Sequence, residues 1–100
     1  MVLKKEEKNN IIKAIYDSSN ICASTYDKNS NDLIIIFKNG GQYRYMGVNS
    51  LDYSSFELAE SNGKVFNDNI KKKYTKFEKM PNFNVSELLL EIESLKNNII

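Results

Sequence analysis

Three stretches of this sequence carry residue types able to bind or to react. The first is Tyr43-Arg44-Tyr45. On a strand, positions i and i+2 share a face, so both rings point one way and Arg44 the other. Two such rings on an open sheet stack successive bases of a single strand; on a covered sheet they fill the core. The second stretch is Lys64 to Lys79, where Lys64, Lys71, Lys72, Lys73, Lys76 and Lys79 face only Asp68 and Glu78, in a chain of net charge +1. Lysines crowded at a helix end neutralise phosphates with salt-dependent affinity, or merely complement the helix dipole. The stretch has no arginine for bidentate recognition. The third is the helical stripe Val85, Leu88, Leu89, Ile92 and Leu95, continued by Ile99. It either closes the core or presents a face to a partner or a second copy.

Catalytic patterns are missing. The chain has no histidine and one cysteine, Cys22, so a Cys/His metal site and an intramolecular disulfide are excluded. Cys22 lies in an alternating run and reads as a small core residue. There is no Gly-x-Ser-x-Gly and no phosphate-cradling glycine loop. The acid pairs Glu6 with Glu7 and Glu91 with Glu93 fall on segments that read as solvated helix faces, whereas acid-base catalysis needs carboxylates converging in a pocket. The expectation is a non-enzyme with no cofactor and no metal. No apolar run reaches membrane-spanning length, and no hydrophobic run follows the basic N-terminal residues, so a cytoplasmic protein is expected.

The elements that position these residues centre on Leu33 to Val48. Leu33 to Phe37 is an apolar, largely β-branched run. Asn39-Gly40 is a hairpin signal in which both residues tolerate positive φ, and Gln42 to Met46 is the return strand. Ile21 to Tyr26 alternates and supplies a third strand, so the reading is an antiparallel meander. Residues Met1 to Asn10 either fray or begin a helix running to Ile15; a short strand at Ile12 to Tyr16 is the alternative. After Val48 the period becomes helical. Ser50 is the expected N-cap of a helix to Ser61, with Tyr53, Phe56 and Ala59 on one face and a left-handed cap at Asn62 or Gly63. A second helix is expected from Lys64 to Tyr74, with Phe66, Ile70 and Tyr74 buried. Thr75 to Phe83 reads as a connector. Asn84 is the expected cap of the last helix, Val85 to Lys96, with Glu87 at the capping-box position. The fold class is α+β: a three-stranded antiparallel meander packed by two helices on one face, plus a C-terminal helix.

These residues resemble the KTSC domain, a small domain named for its occurrence at the C-terminus of some lysyl-tRNA synthetases. The resemblance rests on Ser18-Ser19-Asn20-Ile21, Tyr26-Asp27, Leu33 to Phe37, Gly40, Tyr43-Arg44-Tyr45, Val48, Tyr53, Ala59-Glu60-Ser61-Asn62-Gly63, Phe66-Asn67, Ile70 and Tyr74. Asn49, Asp52 and Thr25 depart from the pattern, standing where the family often has a proline, an apolar residue and a glycine. Residues 15–74 then form the KTSC-like core of a single domain. Residues 1–14 are an extension, and 75–100 are a linker and helix. The resemblance implies the fold and a lead towards RNA binding, with no assigned activity.

The function expected from all this is a small module binding RNA or single-stranded nucleic acid. Lys64, Lys71, Lys72, Lys73 and Lys76 are its phosphate contacts, joined by Arg44 if it faces the same side. The alternative is a protein-interaction protein, such as a phage-encoded inhibitor or adaptor of a larger complex, with Leu88, Leu89, Ile92 and Leu95 as its face. The tyrosine face best matches the helix stripe of Phe56, Phe66 and Ile70, so both Tyr43 and Tyr45 are expected to be largely buried.

Overall fold

A computed structural model describes residues 1–98; the continuation of the last apolar stripe to Ile99 lies outside the described residues. Six antiparallel strands follow one another in chain order across one sheet: β1 (Val2–Lys8), β2 (Ile11–Tyr16), β3 (Ile21–Asp27), β4 (Asp32–Phe37), β5 (Gln42–Tyr45) and β6 (Phe77–Met80). Helices α1 (Ser50–Glu57) and α2 (Asn62–Val65) lie between β5 and β6, and α3 (Ser86–Asn97) follows. A π-helical turn, Phe66–Lys71, extends α2. The class is α+β as expected, but the expected three-stranded meander is only the middle of the sheet.

The N-terminal helix reading is corrected: Met1 to Ile15 is a hairpin. Asn9 and Asn10 both adopt positive φ (54° and 64°), which gives the two-residue turn that suits the strand twist. Strand β1 carries charge on both faces because it is an edge that little covers. The Asn39-Gly40 turn is corrected too. Only Gly40 has positive φ, at 90°. The Gly40 amide bonds the Phe37 carbonyl at 2.9 Å, and the Phe37 amide bonds that of Gly41 at 2.8 Å. This is the three-residue loop with a left-handed glycine. The connector is the third correction, since Phe77–Met80 pairs with β5 from Tyr45 opposite Phe77 to Gln42 opposite Met80.

The sheet has two covered faces. On one, Ile12, Tyr16, Tyr26, Leu33, Ile35 and Tyr45 pack with Tyr53, Phe56, Phe66 and Ile70 of the helices. The Tyr26 and Tyr53 rings stack at 4.1 Å, and the Tyr26 hydroxyl donates to the Val48 carbonyl at 2.7 Å. On the reverse face α3 packs against β1 and β3. Lys4 and Lys5 point to opposite faces of the edge strand and reach both layers: Lys4 pairs with Glu91 of α3 at 3.2 Å, Lys5 with Glu57 of α1 at 2.8 Å. Cys22 is fully buried, and burial pushes its thiol pKa up.

The helix caps shift by a residue or more. Asn49, not Ser50, caps α1, its side chain accepting from the Asp52 amide at 2.8 Å. The helix ends at Glu57 rather than Ser61. Asn62 and Gly63 do not form a left-handed cap. Asn62 is buried and donates to the Phe56 carbonyl at 2.9 Å, closing the end of α1 with its side chain, while Ser61 caps α2. At α3, Asn84 accepts from the Ser86 amide at 3.1 Å, two residues on, and the expected capping box with Glu87 does not form.

Candidate ligand groove

The loop after β4 and the strands β5 and β6 form one side of a groove of about 880 Å³; the π turn and the Ser19-Asn20 bend form the other. Phe37, Tyr43, Phe66 and Phe77 give it an aromatic floor. Phe77 is half exposed, and its ring lies 5.4 Å from that of Tyr45 and 6.3 Å from that of Tyr43. Lys38, Lys71 and Lys79 line the rim, and among the described residues no carboxylate lines the groove. Lys79 lies over the Tyr43 ring at 5.9 Å and donates to the Asn82 side chain at 3.2 Å. Three uncompensated ammonium groups above aromatic rings attract a polyanion that carries flat groups.

The π turn explains how Lys71 reaches the groove. In an α-helix residue i+5 stands roughly 140° round from residue i. Bonding from i to i+5 loosens the turn and brings Lys71 back beside Phe66, which is buried against Tyr45 and Phe37. Lys71 is thereby turned towards the aromatic floor.

The structure separates most of the other residues singled out in the sequence. Arg44 is on the reverse face, paired with Glu78 and 4.0 Å from Asp32, so it does not join the lysines. Lys72 pairs with Asp68 at 3.6 Å, and Lys73 with Asp52 at 2.8 Å. Lys73 and the Tyr74 hydroxyl, both bonded to Asp52, hold its carboxyl below the usual range. These contacts fasten the end of the π turn to the start of α1. Lys64 and Lys76 are exposed and do not line the groove. Tyr45 is buried at 4% exposure, as expected, and burial raises its hydroxyl pKa. Tyr43 is only half buried, a correction, because the strand beyond it ends the sheet and no helix covers its outer edge. In the last helix Ile92 is buried, and Leu88, Leu89 and Leu95 are half buried against the reverse face; the outward residue is Leu90, 72% exposed. The stripe therefore covers a second layer and does not close the main core.

Sequence reasoning missed Phe77, Lys79, Lys38 and the groove amides. The alternation Phe77-Glu78-Lys79-Met80 before Pro81 was the available signal. Lys38 had none, because only tertiary folding brings the turn to the π helix.

The sequence profile of the KTSC domain matches residues 17–74, more than half of the chain. The chain belongs to the KTSC domain family. A crystal structure of a KTSC domain protein from Yersinia pestis is similar to it, with 31% identity and a TM-score of 0.66 over 71% of this chain and 99% of that one. No curated protein matches. Strands β1, β2 and β6 and helix α3 lie outside the matched KTSC segment. The groove is thus composite: Lys38, Tyr43, Phe66 and Lys71 belong to the KTSC segment, and Phe77, Lys79 and Asn82 to the sequence after it. Among the described residues no helix is long and apolar enough to cross a membrane.

Proposed function

We propose that this KTSC protein is a non-enzymatic binding module, working in the cytoplasm, that takes single-stranded nucleic acid, RNA foremost, in the groove. The observation that carries the reading is the convergence of Lys38, Lys71 and Lys79 on an aromatic floor without a carboxylate among them. Bases stack on aromatic faces with little regard to sequence, and lysines hold the phosphates between them. The half-exposed rings Tyr43 and Phe77 form the platform; Tyr45 supports it from below. The phosphate contacts are Lys71 with Lys38 and Lys79. Lys72 and Lys73 are already engaged by acids, and Lys64 and Lys76 contribute only a diffuse field.

Titration of short RNA and DNA oligonucleotides at about 50 mM and about 200 mM salt tests this. Binding at low salt that weakens steeply with salt is expected. The Lys71→Glu, Lys79→Glu double variant should abolish it, and Lys72→Glu should reduce it far less. No binding at low salt, or a polyglutamate peptide binding as tightly as RNA, overturns the proposal.

A further inference from the structure

We infer that Asn67 reads the base of the bound strand and selects adenine. The inference rests on the groove being a single-strand site. Asn67 follows Phe66 at the start of the π turn, and Lys71 stands about one helical turn, about 5 Å, further along the same wall. One wall thus presents an amide and, a turn away, an ammonium, matching the base and the phosphate of one nucleotide.

The state of the amides singles out Asn67. The Asn39 side chain accepts from the Gly41 amide at 2.8 Å, and that of Asn82 accepts from Lys79. Asn67 has no hydrogen-bond partner among the described residues, and neither does the Asn20 carboxamide on the facing lip. A free carboxamide offers one donor and one acceptor side by side. Adenine presents the complement at N7 and its N6 amino group, the bidentate pairing that asparagine makes with it. Asn20, across the groove, closes over the other edge.

The test compares homopolymeric oligo-A, oligo-U and oligo-C RNAs of equal length by fluorescence anisotropy, with 7-deazaadenosine as a probe that stacks but lacks N7. Oligo-A is expected to bind about tenfold more tightly than oligo-U, a factor within what one bidentate pair supplies. The 7-deaza oligomer should fall to the oligo-U level. Asn67→Ala should erase the preference while leaving oligo-U affinity unchanged, and Lys71→Ala should weaken all of them alike. Equal affinity for all oligomers, or a preference that survives Asn67→Ala or the loss of N7, overturns the inference and leaves the single-strand site standing. Failure of every oligomer to bind overturns both.

Discussion

Lys5 and Glu57 form a 2.8 Å ion pair in which the carboxylate is buried and the ammonium is half exposed. The same carboxylate accepts a hydrogen bond from the Tyr53 hydroxyl. The edge strand is therefore fastened to α1 through a charge that cannot return to water without moving the helix. Removing Lys5 leaves that charge with one partner, a loss of roughly 1–3 kcal/mol. Lys5→Met should lower the urea midpoint accordingly, and Glu57→Gln in the same background should recover part of it, since the amide still accepts from Tyr53. Unchanged midpoints in Lys5→Met show that the pair carries no stability.

The two tyrosines of β5 should separate in their effects. Tyr45 is buried between Phe66 and Phe77, so Tyr45→Ala should cost about 3–5 kcal/mol, as aromatic truncations in cores do. Tyr43→Ala should cost markedly less and should weaken oligonucleotide binding in a folded protein. Thermal melts and anisotropy on both variants check this; equal destabilisation by the two contradicts it.

Gly40 should resist substitution. Its φ of 90° is strained for an L-residue, and an added Cβ would meet the Phe83 carbonyl at 2.9 Å. The Phe83 amide bonds the Gly40 carbonyl at 2.8 Å, so the turn and the segment after β6 are locked together. Gly40→Ala should cost about 1–3 kcal/mol. Hydrogen exchange should show faster opening at Phe83 than in the unaltered protein; unchanged protection there refutes the coupling.

The clasp at Asp52 should appear as acid sensitivity. Lys73 first, then Tyr74, depress its carboxyl pKa, so the folded state takes up that proton less readily than the unfolded chain. The stabilisation is present above the unfolded value, about 3.9, and is lost as pH falls through the lower folded value. Asp52→Asn should lower stability at neutral pH and flatten its decline at acid pH. Urea midpoints measured against pH decide the matter, and parallel curves for the two proteins contradict it.

The central strands were legible because their patterns obey one rule each. Leu33 to Phe37 is apolar on both faces, and both faces are covered; Ile21 to Tyr26 alternates. Strand β1 was hidden because Lys4, Lys5, Glu6 and Glu7 are polar on both sides, which resembles a solvated helix when partners on α1 and α3 are unknown. Strand β6 was hidden by its length and by Lys76 and Pro81 around it. The lysine cluster misled differently. Lys71, Lys72 and Lys73 are neighbours in sequence, but a helix sends them in different directions, so one lines the groove and two meet acids. Lys38 and Lys79 come to Lys71 only through tertiary structure.

The groove's division between the KTSC segment and β6 has an evolutionary and engineering meaning. One wall is bound to the conserved-fold scaffold, whereas the other is a short, separately encoded strip at the rim of the sheet. Residues 77–82 can therefore drift, or be exchanged for another strip of equal length, and change the preferred ligand while Phe66, Ile70 and the central strands keep the scaffold intact. Such a protein behaves like a tool holder with a replaceable jaw. Relatives that share the scaffold need not share a ligand, and this strip is the place to retune affinity by design.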